Sequence, residues 1–125
     1  MYAELHCLSH FSFLRGASAP AELVSRAAEC RYHALAVTDE CSLAGVVKAH
    51  VAAKEHQLKL IIGSEFTLTE GIRLVALVPN REAYGELSGL ISRARRRCHK
   101  GEYTVHLRDI IFHLKRCFLI LLPDD

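Results

Sequence analysis

Apolar residues follow two patterns along this 125-residue chain. Short continuous apolar runs, such as ALAVT at 34–38 and CFLILL at 117–122, are typical of buried strands. Between such runs, apolar residues recur every three or four positions, which predicts amphipathic helices. The predicted order is strand 2–8, helix 20–32, strand 34–38, helix 42–56, strand 58–63, strands 66–68 and 72–78, helix 80–97, helix 107–114 and strand 117–122.

The starts of three helices carry recognisable signals. Pro20 suits a first helical turn after a cap at Ser18 or Ala19, and Ser42 and Asn80 are candidate N-caps for the next two helices. The predicted buried faces are Leu23, Ala27 and Cys30 in the first helix, Leu43, Val46, Val47 and Val51 in the second, and Tyr84, Leu87, Ile91 and Ala94 in the third.

Strands that alternate with helices predict an α/β fold with mostly parallel strands and crossover helices. The segment 69–71 reads as the turn of one hairpin within this pattern. A buried parallel strand is ordinarily followed by a helix, yet the run 117–122 is followed only by Pro123 and two aspartates. We therefore expect residues 1–125 to be a fragment of a longer chain.

Composition narrows the function classes. The net charge of +2 is too small to indicate nucleic-acid binding by itself. Five scattered cysteines without a Cys-x-x-Cys pair predict reduced thiols and a cytoplasmic protein. The longest apolar runs are far shorter than the roughly 20 residues that span a bilayer, so we expect no membrane partner.

Polar groups follow three of the predicted strands. They lie in ELHCLSHFSFLRGAS at 4–18, TDE at 38–40 and GSEF at 63–66. Because α/β proteins bind ligands at the carboxyl ends of parallel strands, these segments predict one common site. The chain contains neither a glycine-rich phosphate loop nor a recognisable nucleophile with a base.

In order and spacing, these three motifs resemble the PHP (polymerase and histidinol phosphatase) domain. The wording FSFLRGAS and TDECSLAGVV is most similar to the domain at the N-terminus of bacterial DNA polymerase III α-type subunits, particularly the error-prone α-like polymerases. The resemblance implies a distorted β/α barrel with metals at the carboxyl ends of its strands. A complete domain is longer than this chain, so the resemblance implies a partial or truncated barrel.

The resemblance also implies a set of metal ligands, from which this sequence departs. His6 matches the first histidine of a His-x-His pair, but Leu8 replaces the second. Asp39 matches the aspartate of Thr-Asp-His, whose histidine is replaced by Glu40, and Glu65 matches the glutamate of Gly-x-Glu. His6, Glu40 and Glu65 are therefore the vestigial metal ligands, able at most to hold a residual zinc or manganese ion.

Two arginines stand where the family places metal-binding side chains. Arg15 replaces a frequent aspartate, and Arg73 lies near a frequent histidine. Because a guanidinium binds carboxylates well, we expect Arg15 or Arg73 to pair with Glu65 or Glu40 in place of metals. His10 falls at a usual Asp or Asn position and, like Asp39, is expected to have a structural role. No catalytic residue is expected in this segment.

The resemblance implies a function for a longer parent protein. That function is DNA-directed DNA synthesis past damage, with magnesium, and this segment would pack on the rest of the polymerase. The isolated fragment is a candidate homodimer. The alternatives are an active metal-dependent phosphoesterase or 3′–5′ exonuclease and a stand-alone interaction module. The basic run at 93–100 is read as a solvated helix end, with contact to DNA phosphates as the alternative.

Overall fold

Five strands form one sheet in chain order, with helices between them. The computed structural model describes residues 3–5 and 19–123. Its elements are β1 (Ala3–Glu4), α1 (Pro20–Glu29), β2 (Ala34–Val37), α2 (Val46–Glu55), β3 (Lys59–Thr67), β4 (Arg73–Val78), α3 (Arg81–Arg96), α4 (Leu107–His113) and β5 (Phe118–Leu122).

The sheet changes direction at β3. β1, β2 and β3 pair in parallel through the crossover helices, whereas β3–β4 and β4–β5 pair antiparallel. The α/β class is thus confirmed, with the parallel pairing confined to the first three strands. The predicted strands 58–63 and 66–68 are one continuous strand, β3, and this strand turns directly into β4.

The predicted hairpin turn at 69–71 is confirmed. Leu68 N–H donates to the Ile72 carbonyl at 2.8 Å, which closes the turn between β3 and β4. Gly71 has a φ of 87°, a left-handed conformation that glycine adopts without a steric cost. A tight turn of this kind necessarily makes its two strands antiparallel.

The prediction that 117–122 is a buried strand is wrong. β5 pairs with β4 at one edge of the sheet, and its side chains are largely exposed, with Phe118 at 65% and Leu121 at 70%. Within the described part of the chain, no further strand pairs with its outer edge. The apolar composition of β5 therefore creates an exposed apolar edge rather than a core strand.

The buried face of α2 also differs from the prediction. α2 begins at Val46 because Ser42 lies in the preceding loop, where its N–H donates to the Ser64 hydroxyl. Val47 and Val51 are 73% and 53% exposed. Small residues face α1 and β2 instead, which brings the helix backbones closer than valines would; they are Ala49, Ala52 and Ala53.

The other helices match the prediction more closely. α1 has Ala19 as its N-cap, but it ends at Glu29 and leaves Cys30 exposed. The predicted cap of α3 is confirmed, since Asn80 Oδ1 accepts the Ala83 N–H at 2.9 Å. The fully buried face of α3 is Ala83, Leu87, Leu90 and Ala94, with Ile91 partly buried and Tyr84 at its exposed margin. No helix in the described ranges is long and apolar enough to cross a membrane.

Three apolar clusters stabilise the sheet, and the smallest is formed by Ala36 of β2 with Val75 and Leu77 of β4. The largest cluster packs α3 and α4 against β3 and β4, around Phe66, Leu74, Leu87 and Ile110. The second cluster packs α1 and α2 against β2. Between these two clusters, the loop after β2 lies against β3, and the polar motifs lie there.

Charged pairs join α3 to the α4 segment. Arg97 binds Asp109 through two nitrogens, with the shorter contact at 2.8 Å, and Arg116 binds Glu86 at 2.8 Å. Asp109 also accepts the His106 N–H in a capping box. The Arg97 hydrogen bonds, more than any other contact, lower the pKa of Asp109 to about 2.

We expect acid to weaken this junction. The pKa of Asp109 is about 2 in the folded chain and 3.8 in an ordinary aspartate. The ionised Asp109 therefore stabilises the fold fully when the pH is above 3.8, and this stabilisation is lost as the pH falls from there through about 2. Urea unfolding followed by circular dichroism between about pH 5 and pH 2 should show this loss, and Asp109→Asn should flatten it.

Exposed Glu102 lies in the loop between α3 and α4 and offers a matched control. The variant Glu102→Gln should retain the pH dependence of the wild-type chain. An Asp109→Asn variant whose free energy of unfolding falls with acid as steeply as that of the wild type would contradict the assignment.

At Gly63 in β3, the neighbouring strand leaves no space for a side chain. A Cβ atom at Gly63 would lie 2.5 Å from the Ala76 carbonyl oxygen, which belongs to the backbone of β4. We expect Gly63→Ala to lower the free energy of unfolding by about 1–3 kcal/mol because the ladder must shift. A Cβ at Gly85 in α3 meets nothing within 4 Å, so Gly85→Ala should stabilise by up to about 1 kcal/mol. Equal effects of the two substitutions in urea unfolding would refute this explanation.

Candidate functional site

The loop after β2 is joined to β3 by main-chain hydrogen bonds. Glu40 and Glu65 form an isolated parallel bridge. Glu65 N–H donates to the Asp39 carbonyl at 3.0 Å, and Cys41 N–H donates to the Glu65 carbonyl at 2.8 Å. The two segments 38–40 and 63–66, which the sequence places at strand ends, are therefore in direct contact.

Ser64 fixes this loop through its side chain. Its hydroxyl donates to the Asp39 carbonyl at 2.7 Å and accepts the Ser42 N–H at 3.1 Å. Ser64 is fully buried, and Asp39 is 2% exposed. Because a buried hydroxyl with both roles satisfied tolerates little movement, Ser64 sets the position of the loop that carries Asp39 and Glu40.

Glu65 is a completely buried acidic residue with an arginine nearby. Its side chain has no exposed surface, and Arg73 Nη2 on β4 lies 3.7 Å from Glu65 Oε1. This is the Arg73–Glu65 pairing that the sequence analysis names as one alternative. The distance is that of an ion pair rather than of a short hydrogen bond. A buried carboxylate needs compensation of this kind, because leaving water costs it several kcal/mol.

Glu40 has a different partner, Tyr103 in the loop between α3 and α4. The Tyr103 hydroxyl donates to Glu40 Oε2 at 2.6 Å and accepts the Thr67 N–H at 2.9 Å. The ring of Tyr103 packs edge-on against Phe66. Burial, together with the hydrogen bond to Glu40, raises the pKa of the Tyr103 phenol, so the hydroxyl remains a donor at neutral pH.

Arg95 closes the same network from α3. Its guanidinium donates to the Cys41 carbonyl at 3.0 Å and to the Glu40 carbonyl at 3.3 Å, and it lies over the Tyr103 ring at 5.3 Å. The solvated-face prediction for the basic run holds for Arg96 and Lys100, which are exposed, but it is wrong for Arg95. This arginine is half-buried because the α3 end faces the carbonyl groups of the motif loop.

The cysteine of the motif loop is an inert thiol in this setting. Cys41 is 1% exposed, and its backbone φ is 44°. Burial raises the pKa of its thiol to about 12, despite the opposing effect of nearby Arg95. Because the thiolate is the reactive form, Cys41 is not a nucleophile at neutral pH.

The described residues do not assemble a metal site. His6, His10 and Arg15 lie outside the described residues. Over residues 3–5 and 19–123, no three His, Cys, Asp or Glu side chains lie close enough to hold an ion. Glu40 already binds Tyr103, and Glu65 lies beside Arg73. Among the described residues, Glu40 and Glu65 therefore each have a partner other than a metal.

Sequence reasoning missed three residues that organise the site. Ser64 lies inside the GSEF motif, and its only signal was that position. Arg95 and Tyr103 are more distant in sequence, and the sequence marks them only as part of a basic run and as a residue next to it. Their contacts with residues 40, 41 and 67 depend on how α3 lies against the sheet, which no local pattern reveals.

The Tyr103 hydroxyl provides a direct test of this network. We expect Tyr103→Phe to lower the free energy of unfolding by about 1–3 kcal/mol, because the substitution leaves the Glu40 carboxylate and the Thr67 N–H without this partner. Tyr84→Phe, on an exposed face of α3, should change it by less than about 0.5 kcal/mol. Similar urea midpoints for both variants would exclude a structural role for the Tyr103 hydroxyl.

Comparison with known proteins places the chain in a family. The model of the PHP domain matches residues 4–117. The chain is 60% identical over 122 residues to an error-prone DNA polymerase of Saccharophagus degradans, covering 98% of this chain and 12% of that protein. It is 63% identical over 109 residues to an error-prone DNA polymerase of Dechloromonas aromatica, covering 87% of this chain and 11% of that one. The chain thus spans about an eighth or less of the length of these relatives.

Two solved structures resemble the fold. One is a Bifidobacterium adolescentis protein assigned as a metal-dependent phosphoesterase, with a TM-score of 0.64 and 26% identity over 77% of this chain and 34% of that chain. The other is an amidohydrolase from Chromobacterium violaceum, with bound sulfate and no metal, with a TM-score of 0.63 and 27% identity over the same fractions. Sequence, motif contacts and fold agree, and the chain belongs to the PHP domain family.

Proposed function

We propose that this chain is the N-terminal part of a PHP domain in an error-prone DNA polymerase, and that its metal site is degenerate. The relatives named error-prone DNA polymerase support the identity of the longer protein. The contact between buried Glu65 and Arg73 is the observation that carries the proposal for this segment. In this view the segment has a structural role and does not catalyse a reaction itself.

The two motif glutamates set the charge balance of the site. A metal centre would use their carboxylates as ligands and balance their negative charge with a cation. Here Arg73 supplies a positive charge beside Glu65, and the Tyr103 hydroxyl satisfies Glu40. A guanidinium cannot activate water or accept lone pairs from the substrate as a metal does. The arrangement therefore stabilises the loop without providing hydrolytic chemistry.

The activity of the longer protein is part of the proposal. It would synthesise DNA on a template past damage in the cytoplasm, with magnesium and with carboxylates outside this chain. The names of the relatives support DNA synthesis and an error-prone character. The exposed apolar side chains of β5 support packing of this segment against another part of the polymerase, since such surfaces are usually covered.

A second candidate is a metal-dependent phosphoesterase, which the similarity to the Bifidobacterium protein favours. It would need His6 together with Glu40 and Glu65 as ligands. To bind an ion, Glu40 would have to leave Tyr103, and Glu65 would have to bind the ion beside the positive charge of Arg73. Both changes oppose metal binding, so this candidate is the weaker one.

Metal content and stability together test the proposal. We expect the purified 125-residue chain, exposed to zinc or manganese and then desalted, to retain less than stoichiometric metal by mass spectrometry. Glu65→Gln should leave that metal content unchanged but lower the free energy of unfolding by about 1–3 kcal/mol, because Arg73 loses its charged partner. Glu102→Gln, at an exposed carboxylate in the loop between α3 and α4, controls for general charge effects.

Retention of metal by the wild-type chain would contradict the proposal. One equivalent of metal in the wild-type chain that disappears in Glu65→Gln but remains in Glu102→Gln would show a working ligand set. Hydrolysis of DNA 3′ ends with the same dependence on Glu65 would then establish the phosphoesterase.

A further inference from the structure

An exposed aromatic ring projects from a firmly anchored part of the α4 segment. Phe112 is 69% exposed, whereas Ile110 before it and Leu114 after it are 1% and 4% exposed. The two buried residues fix the backbone on both sides of Phe112. An aromatic side chain on such a backbone loses little conformational entropy when it contacts a ligand, which favours binding.

Positively charged and imidazole groups surround this ring. Lys115 Nζ lies 5.5 Å from the centroid of the Phe112 ring. The His113 ring meets the phenyl ring edge-on, with centroids 5.0 Å apart. Arg93 Nη1 on α3 lies 3.3 Å from His113 Nδ1. We call the group formed by Arg93, Phe112, His113 and Lys115 the Phe112 platform.

The platform differs from its neighbours in charge balance. Along the same α3–α4 junction, Arg97 pairs with Asp109 and Arg116 pairs with Glu86. Between these two ion pairs, Arg93 lies beside His113. Among the described residues, no carboxylate forms an ion pair with Arg93 or Lys115. Lys115 therefore lies over the exposed ring, and Arg93 joins the same cluster through His113. Two cations without an ion-paired carboxylate beside an exposed phenyl ring suit an anionic ligand with a flat aromatic face.

We propose that the Phe112 platform binds single-stranded nucleic acid. A base stacks on the phenyl ring, and Arg93 and Lys115 contact the phosphates on either side of it. Proteins that bind single strands without sequence preference combine an aromatic stacking surface with basic groups in this way. An acidic protein segment would satisfy the cations but leave the phenyl face exposed, so a nucleic acid uses more of the surface. The proposal does not depend on the metal site, and only the choice of DNA as the probe follows from the proposed function.

Fluorescence anisotropy with a labelled oligothymidylate of about 20 nucleotides tests this binding. We expect the 125-residue chain to bind and Phe112→Ala to weaken the affinity roughly tenfold or more, as for loss of one stacked base. Arg93→Gln should weaken binding and reduce the slope of log affinity against log salt by about 0.7, as for one lost phosphate contact on a single strand. Circular dichroism confirms that each variant is folded.

Matched variants decide whether the ring and its cations matter specifically. Ile111 is 68% exposed and adjacent to Phe112, so Ile111→Ala controls for lost apolar surface. Arg81→Gln removes an exposed charge from the first turn of the same helix, twelve residues before Arg93. Both controls should bind like the wild type. Absence of oligothymidylate binding by the wild type overturns the proposal, as does a Phe112→Ala effect no larger than that of Ile111→Ala. A failure here leaves the metal and stability results for Glu65 unchanged, so the two proposals are tested separately.

Discussion

The buried charge of Glu65 is the constraint on which the rest of the candidate site depends. Glu65 lies within β3, and its side chain has no exposed surface. Its backbone binds the loop after β2 on one side, and its side chain lies beside Arg73 of β4 on the other. Because burial of a carboxylate is costly without a partner, Arg73, which the β3–β4 register places beside Glu65, contributes to the stability of the sheet.

Under the proposed function, this constraint explains how the PHP fold persists without bound metals. A binding site for metals concentrates acidic side chains where the surrounding protein excludes water. If ligands are replaced, the remaining acids still require positive charge or hydrogen-bond donors. Arg73 and Tyr103 meet that requirement for Glu65 and Glu40. The loop geometry that Ser64 and Arg95 maintain is thereby preserved for packing.

Local sequence patterns predict much of the fold because helix caps and tight turns depend on interactions between neighbouring residues. The cap at Asn80 and the hairpin turn at 69–71 depend on neighbouring residues, and both are present. The sequence could not predict that alanines rather than Val47 and Val51 would face α1, because the distance between two helices is a tertiary property. For the same reason, the exposure of β5 could not be read from its composition: an apolar run indicates a strand but not which neighbours cover it.

The sequence predicts which segments form the candidate site but not which side chains bind to them. The motifs at 38–40 and 63–66 meet because the loop after β2 continues alongside β3 and bridges to it at Glu65, inside the strand rather than at its end. The contribution of Tyr103 depends on the loop that follows α3, and its hydrogen bond joins residues 63 positions apart. Such long-range contacts leave no periodic signal in the sequence. Among these partners, only Arg73 follows from the sequence, because the family resemblance puts it near a metal-binding position and so names it as one alternative partner for Glu65.

The change from parallel to antiparallel pairing at β3 has a consequence for the order of folding. The hairpin of β3 and β4 brings together residues close in sequence, whereas β1 and β2 reach their places through crossover connections. Contacts of low sequence separation form faster because they close shorter loops. The antiparallel half of the sheet should therefore assemble first, with Glu65 and Arg73 already side by side. When the loop after β2 later covers this position, the carboxylate is desolvated with its counter-charge in place, so the folding chain avoids an intermediate that buries an isolated charge.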